Sequence, residues 1–141
     1  MYVDSAYIAK YYLNEPDSQR VRGLIATADI LVASTWALGE VTCAFHRQLR
    51  QGGMDTSQYH YLLSRFLGHV SAGNWKLIPV TERLLHKMTV LMGTLPPTTY
   101  LRAGDALHLT TAQDLGEREI WTSDRHLLAA AGHFGLTGRS A

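Results

Sequence analysis

The sequence has few of the features that mark secreted, membrane-spanning or disordered chains. Its single cysteine, Cys43, leaves no disulfide possible within the chain, which is typical of a reducing compartment. No stretch approaches the roughly 18 apolar residues that a membrane-spanning helix needs. The amino terminus, MYVDSAYIAKYY, has no basic segment followed by an apolar run, so we expect no signal peptide and a cytoplasmic location.

Charged residues are sparse as well, at 18% of the 141 positions, whereas apolar residues make up 46%. This balance argues against a disordered tail and predicts a compact globular domain. The length predicts one domain over residues 1–141. The net charge of +1 is too small to predict a nucleic-acid partner by itself.

Short apolar runs alternate with helical patterns along the chain. Strands are predicted near residues 1–4, 30–33, 75–80 and 119–122, with a brief closing strand around Leu136. Helices are predicted between these strands and after the fourth one. Strands of this length separated by helices predict a three-layer α/β/α sandwich with a short central parallel sheet of four to five strands. Right-handed crossovers then bring the carboxyl ends of all strands to one edge of the sheet.

Several local signals predict how the helices begin and which side chains fill the core. Ser5 is predicted to cap the first helix, and Ser34 or Thr35 the helix after the second strand. The segment 55–58 resembles a capping box, and Thr81 is a further predicted cap. The three tryptophans are predicted to pack in the core; they are Trp36, Trp75 and Trp121.

Four acidic residues, far apart in the sequence, each lie among apolar neighbours. Asp4 ends the first predicted strand and Asp124 follows the fourth, so both are expected at the carboxyl edge of the sheet. Glu40 lies about one and a half turns into a helix on an apolar face, and Asp105 lies in the first turn of another helix. A carboxylate is seldom buried without a partner. Oxygen ligands with no histidine or cysteine pair at ligand spacing favour Mg²⁺ or Mn²⁺ over zinc.

Each acid also has an ordinary structural interpretation, and the spacing leaves both open. Asp105 can favour the positive end of its helix, and Asp124 can cap the last helix. Asp4 is harder to explain in this way, because aspartate has low strand propensity. If the four acids form one metal site, the rest of the chain carries 13 basic residues against 8 of the 12 acids, which is compatible with a polyanionic substrate.

Four segments resemble the PIN-domain family, and specifically the VapC-type ribonuclease toxins of type II toxin–antitoxin (VapBC) systems. The segments are YVDSAYIAKYYLNEPDSQRV, STWALGEVTCAFHR, LRAGDALHLTTA and IWTSDRHLLAAA, which keep the family's order and spacing. The resemblance places metal-binding, catalytic acids at Asp4, Glu40, Asp105 and Asp124. The family's serine or threonine beside the last acid falls on Ser123.

The resemblance implies an Mg²⁺- or Mn²⁺-dependent endoribonuclease that acts as the toxin of a toxin–antitoxin pair. RNA phosphodiester bonds would be hydrolysed by a metal-activated water held by the four acids. The implied partners are RNA and a cognate VapB-type antitoxin, with a homodimer that enters a higher assembly with the antitoxin and no membrane association.

Two functions of other classes compete with this interpretation. A phosphohydrolase of the haloacid-dehalogenase type also begins with an aspartate at the end of strand one, but its second aspartate would fall on Ala6. A catalytically silent PIN-like module that binds nucleic acid or protein stays open. His108, one turn beyond Asp105, is interpreted as fixing a neighbouring backbone or carboxylate group in preference to acting as a general acid. A basic helical face at His46, Arg47 and Arg50 is either an RNA track or solvated surface.

Overall fold

The computed structural model describes residues 1–141 as five short strands and seven α-helices. The strands are β1 (Tyr2–Val3), β2 (Val32–Ser34), β3 (Lys76–Ile78), β4 (Glu119–Trp121) and β5 (Thr137–Arg139). The helices are α1 (Ser5–Tyr12), α2 (Ser18–Ile25), α3 (Ala37–Arg50), α4 (Thr56–Ser71), α5 (Glu82–Gly93), α6 (Ala103–Asp114) and α7 (Arg125–Ala130), with a 3₁₀ turn at Ala131–Phe134. No helix is long and apolar enough to cross a membrane.

The five strands form one sheet in the order β3-β2-β1-β4-β5, and every neighbouring pair is parallel. Tyr2 is in register with Val32 on one side and with Ile120 on the other. The chain moves outward from β1 to β3 and then returns to place β4 against the free side of β1. The neighbours β1 and β4 therefore form the point at which strand order reverses, where open α/β sheets bind their ligands.

Successive residues of the central strands are buried in two separate hydrophobic cores, one on each face of the sheet. Val3 and Ala33 contribute to a cluster with α1, α2, α3 and α4. Tyr2 and Val32, their neighbours in sequence, contribute to a second cluster with α6, α7 and Ile120. Because successive strand side chains point to opposite faces, helices on both faces bury every position of β1 and β2, whereas the edge strands β3 and β5 stay partly exposed. This confirms the predicted three-layer α/β/α sandwich with a parallel sheet.

Two of the predicted helix caps are wrong, and two are confirmed. Asp4, not Ser5, caps α1, because its extended backbone lets the carboxylate accept the amide hydrogen of Tyr7. The helix α3 has no side-chain cap, since Thr35 accepts the amide of Val80 from the β3 side instead. The other two caps are present, with a capping box at Asp55 and Gln58 and with Thr81 capping α5.

The prediction that all three tryptophans pack in the core is also wrong for one of them. Trp75 is buried and Trp121 is half-buried against the core, but Trp36 is 49% exposed. Trp36 precedes α3 at the carboxyl edge of the sheet, beside Glu40, where the apolar layers end. Its indole N–H therefore has a polar neighbour at this edge.

Candidate metal site

The first strand ends in a carboxylate that is buried without a cation. Asp4 is 3% exposed, and it lies where β1 meets β4 at the carboxyl edge of the sheet. One carboxylate oxygen accepts the amide of Tyr7 at 2.9 Å, and the other accepts the hydroxyl of Thr122 at 2.6 Å. No lysine or arginine forms an ion pair with Asp4. Burial raises the pKa of Asp4 above its usual range, although these two hydrogen bonds act in the opposite direction.

Thr122 joins this buried carboxylate to the loop after β4. Its hydroxyl donates to Asp4 and accepts the amide hydrogen of Asp124 at 2.8 Å. Asp124 then caps α7 by accepting the amides of His126 and Leu127. The backbone of Asp124 is thus held relative to Asp4 through a single buried hydroxyl.

Asp105 and Asp124 share one arginine. The guanidinium of Arg102 contacts Asp105 at 2.9 Å and Asp124 at 3.2 Å. Asp105 also accepts the backbone amide of Arg102 at 3.2 Å, which tightens the first turn of α6. The Asp105 side chain is mostly buried, whereas Arg102 is largely exposed. An exposed guanidinium therefore offsets the repulsion between two carboxylates at the same edge.

Glu40 lies in the first turn of α3 and is held by groups from two other helices. One carboxylate oxygen accepts the hydroxyl of Ser5 at 2.5 Å and lies 2.8 Å from Nε2 of His108. Burial would raise the pKa of Glu40, but the hydrogen bonds from His108 and Ser5 outweigh it and hold the pKa below its usual value. Glu40 is therefore an ionised carboxylate at neutral pH.

Gly104 lets α6 approach Glu40 closely. A Cβ atom at this position would lie 2.5 Å from Oε1 of Glu40 and 3.0 Å from Nε1 of Trp36. The first distance is shorter than any ordinary contact, so a side chain at Gly104 would push the Glu40 carboxylate away. The glycine next to Asp105 thus leaves room for the Glu40 carboxylate and the Trp36 indole in their observed positions.

His108 connects Glu40 to the buried tyrosine of β1. The histidine is 2% exposed, and its Nδ1 lies 3.1 Å from the hydroxyl of Tyr2. Burial raises the pKa of Tyr2 far above its ordinary value, so the phenol stays protonated while it is hydrogen-bonded to Nδ1. Nε2 then carries the hydrogen that is donated to Glu40. His108 thus holds the Glu40 carboxylate in place, which agrees with the interpretation of His108 as a residue that fixes a neighbouring group.

The hydroxyl of Ser123 forms no hydrogen bond with any of the four acids. Its hydroxyl lies 2.8 Å from Nζ of Lys10 and donates to Asp17 at 3.2 Å. Lys10 and Asp17 are themselves paired at 2.6 Å, and this contact lowers the pKa of Asp17. The serine ties α1 and the start of α2 to the loop after β4, so it borders the site without lining it.

The four acids thus lie at one edge of the sheet but are connected through other side chains. Asp105 and Asp124 are joined by Arg102, and Asp124 and Asp4 by Thr122. No group of three or more histidine, cysteine, aspartate and glutamate side chains lies close enough together to hold a metal ion. The acids are therefore assembled in pairs and not as a preformed ligand cage.

The donor chemistry nevertheless fits a hard divalent cation. All four residues offer carboxylate oxygens, which Mg²⁺ and Mn²⁺ prefer. Asp4 is a buried acid whose charge has no partner, and Arg102 already supplies a positive charge between two of the other acids.

Three connecting residues were missed by reasoning from the sequence. Arg102 had a readable signal, because it precedes Asp105 by three positions, the spacing of a helical ion pair. Thr122 and Ser5 gave no such signal, since their partners lie 118 and 35 positions away.

Comparisons with known proteins identify the chain. The family model of the PIN domain matches residues 1–133. A crystal structure of Mycobacterium tuberculosis VapC20, described as a sarcin–ricin loop cleaving toxin, is similar with a TM-score of 0.71 at 15% identity, over 92% of this chain and 93% of that one. FitAB bound to an IR36 DNA fragment is similar with a TM-score of 0.69 at 12% identity, over 99% and 93% of the chains. No curated protein matches the sequence. With the family model covering nearly the whole chain, this protein belongs to the PIN domain family.

Proposed function

We propose that this protein is a VapC-type endoribonuclease that depends on Mg²⁺ or Mn²⁺. The observation that carries the proposal is the buried carboxylate of Asp4, which has no counter-charge and lies at the strand-order reversal. Membership of the PIN domain family supports nuclease activity. The four segments that resemble VapC toxins support RNA as the substrate.

In this proposal Asp4 and Asp105 hold the cation directly, and Asp124 contributes to its surroundings. A divalent cation at such a site lowers the pKa of water and offsets charge on the phosphate. Glu40 has a different task, since it is held ionised by His108 and Ser5. Its carboxylate accepts the proton of the water that attacks phosphorus.

In this proposal Arg102 has one role in the metal-free protein and another once the cation and the substrate are bound. In the metal-free protein it neutralises Asp105 and Asp124. Its side chain is largely exposed, so it can leave these acids when a cation enters and can then face the phosphate of the substrate. A guanidinium suits the second task, because it binds phosphate oxygens through two parallel hydrogen bonds.

We further propose that the protein is the toxin of a toxin–antitoxin pair. Two solved structures with this fold support the assignment, a VapC20 toxin and FitAB bound to DNA. The partner would be a VapB-type antitoxin, and the toxin would form a homodimer within a larger assembly.

A catalytically silent PIN-like module is the second candidate. The specific observation in its favour is that no three acids are grouped as metal ligands, while Arg102 already satisfies two of them. In such a module the acids would serve only as helix caps and ion-pair partners, as Asp4 and Asp124 do at α1 and α7.

Cleavage of RNA under controlled metal conditions separates the two candidates. Total cellular RNA is incubated with the protein and Mg²⁺ or Mn²⁺, with and without a chelator. The nuclease proposal expects cleavage that the chelator and Asp4→Asn both abolish, while Asp114→Asn, at the far end of α6, cleaves normally. Absence of cleavage together with absence of metal binding would establish the silent module instead.

A further inference from the structure

A groove of about 670 Å³ runs from the candidate metal site along α3. Glu40 and Ser5 lie among its lining residues, so the groove includes part of the site itself. Its walls come from α1, from one face of α3 and from the start of α4. Any chain that leaves the site in this direction has to pass through the groove.

Two arginines of the groove form no ion pair, although its lining also contains the carboxylates of Glu15 and Glu40. Arg47 and Arg50 line it, are exposed and form no ion pair with any carboxylate. Arg83, Arg102 and Arg139, in contrast, each pair with an acid elsewhere on the surface. Leaving two arginines unpaired in one concave surface favours an anionic ligand.

The spacing of these two arginines suits a polyanionic chain whose cleaved phosphate lies beside Glu40. Along α3, Arg47 lies about 10 Å beyond Glu40 and Arg50 about 15 Å beyond it, from the rise of an α-helix. The two side chains share a face of the helix with Glu40, because all three line the same groove. Two charges at increasing distance along one line fit successive phosphates better than they fit one small anion.

One aromatic residue also lines the groove. Tyr59 at the start of α4 lines the groove and lies edge-on to His46, with ring centroids 6.1 Å apart. Tyr59 is only half-buried against the core, so part of its ring faces the groove. A basic track beside an aromatic ring is the usual composition of surfaces that hold single-stranded nucleic acid.

We propose that this groove binds the single-stranded RNA segment that flanks the cleaved phosphate, with its phosphates on Arg47 and Arg50. This inference rests on the proposed nuclease function and adds the path of the substrate. An acidic peptide would satisfy the same arginines. The continuity of the groove with Glu40, together with the ring of Tyr59, favours RNA.

Binding is measured without cleavage, so that the groove is tested separately from the chemistry. A fluorescein-labelled oligouridylate of about 12 nucleotides, within the range of single-strand sites, is titrated in chelator with the Asp4→Asn protein, and anisotropy is recorded at several salt concentrations. In this background, Arg47→Gln with Arg50→Gln is expected to weaken binding about tenfold and to reduce the salt slope by about 1.4, at about 0.7 for each phosphate. Arg118→Gln, an exposed arginine at the opposite edge before β4, should change neither quantity.

Cys43 gives an independent readout from inside the groove. It is exposed, lines the groove and is the only cysteine of the chain, so the rate of its alkylation by iodoacetamide reports occupancy. The oligouridylate is expected to slow this reaction at least about fivefold under saturating binding, and the double arginine variant should lose the protection.

Each outcome decides the proposal. Slower alkylation together with the reduced salt slope supports it. RNA binding that leaves Cys43 fully reactive, or that is unchanged in the double variant, overturns it, even if the wild-type protein cleaves RNA. Protection by a polyglutamate peptide without protection by RNA also overturns it and makes the groove a protein-binding surface. Loss of metal-dependent cleavage in the wild type would contradict only the nuclease function.

Discussion

Nε2 of His108 lies 2.8 Å from Oε2 of Glu40, although 68 positions separate the two residues. The other ring nitrogen of His108 is occupied by the hydroxyl of Tyr2, which keeps its proton because burial raises its pKa. Because the ionised Glu40 carboxylate can only accept, Nε2 donates the hydrogen bond between these two residues. This pair of hydrogen bonds holds the Glu40 carboxylate ionised and in one orientation.

His108→Met is expected to remove that support. The substitution removes the histidine partner of the buried Tyr2 hydroxyl and one of the hydrogen bonds of Glu40, which costs about 2 kcal/mol of unfolding free energy. Urea denaturation measures this loss, and the kcat of RNA cleavage is expected to fall while KM changes little.

His108→Gln is the matched control, because its amide can donate to Glu40 and accept from Tyr2. We expect it to restore most of the kcat. If the methionine and glutamine variants have the same kcat, His108 contributes packing and does not position Glu40.

Thr122→Val tests the hydroxyl that joins Asp4 to Asp124. Valine keeps the shape of threonine but leaves a buried carboxylate oxygen and the amide of Asp124 unpaired, at a cost of about 2 kcal/mol. The pKa of Asp4 should rise further, since the hydroxyl is the strongest contact that lowers it.

The measurement is Mn²⁺ affinity at pH 7 together with thermal unfolding. Thr122→Val should bind Mn²⁺ more weakly, whereas Thr122→Ser should bind it as the wild type does despite losing a buried methyl group. Equal Mn²⁺ affinity in the valine variant and the wild type would show that this hydroxyl is unimportant to the site.

Arg102→Met tests the guanidinium between Asp105 and Asp124. Without the cation the two carboxylates repel each other, so the metal-free melting temperature should fall. The affinity for Mn²⁺ should rise, since the metal no longer competes with a positive charge. Differential scanning calorimetry with and without Mn²⁺ gives both quantities. A variant with unchanged metal-free stability and weaker Mn²⁺ binding would mean that Arg102 orients the acids for the metal instead of competing with it.

Asp114 gives a pH dependence outside the site. Arg83 and Lys87 from α5 both contact this residue, which ends α6, and they hold its pKa well below the usual range. A lowered pKa in the folded state stabilises the protein at pH values above the unfolded pKa of about 3.9, and the stabilisation is lost as the pH falls through the folded value.

Asp114→Asn should therefore lower the free energy of unfolding at pH 7 by at most about 1 kcal/mol, because partly exposed ion pairs are screened. The difference from the wild type should shrink below about pH 4. Urea titrations at pH 7 and at low pH measure it. A difference of constant size at both pH values would contradict the ion-pair origin.

The sequence predicted the parts of the fold that depend on short-range pattern. Apolar runs predicted the strands, and Asp4 and Asp124 were expected at the carboxyl edge, where the structure places them. Parallel pairing followed from the alternation of strands and helices, because a parallel connection needs a crossover of this length.

Predictions of helix caps from residue type were wrong where a distant residue forms a hydrogen bond with the same side chain. Ser5 is a good helix cap by type, but Asp4 has the extended backbone that capping requires, and the Ser5 hydroxyl serves Glu40 instead. Thr35 likewise accepts an amide from beyond β3. Trp36 was assigned to the core by its hydrophobicity, whereas its position at the sheet edge leaves it half exposed.

The candidate site could be located from the sequence, but its connections could not. Asp105 was placed by family resemblance, since nothing in its spacing shows that α6 begins beside α3. Gly104 leaves room there for the Glu40 side chain, which is visible only from the 2.5 Å distance between a Cβ at this position and Oε1 of Glu40.

Calorimetric titration of Mn²⁺ into the chelator-treated protein at pH 7 tests the metal site most directly. We predict that the wild type and Asp114→Asn bind Mn²⁺ with the same affinity, and that Asp4→Asn binds it at least about tenfold more weakly, as expected for loss of a ligand. The folded state of Asp4→Asn is checked by circular dichroism, since asparagine caps a helix about as well as aspartate does. A folded Asp4→Asn protein that binds Mn²⁺ as tightly as the wild type, or a wild type that binds none, would contradict the account.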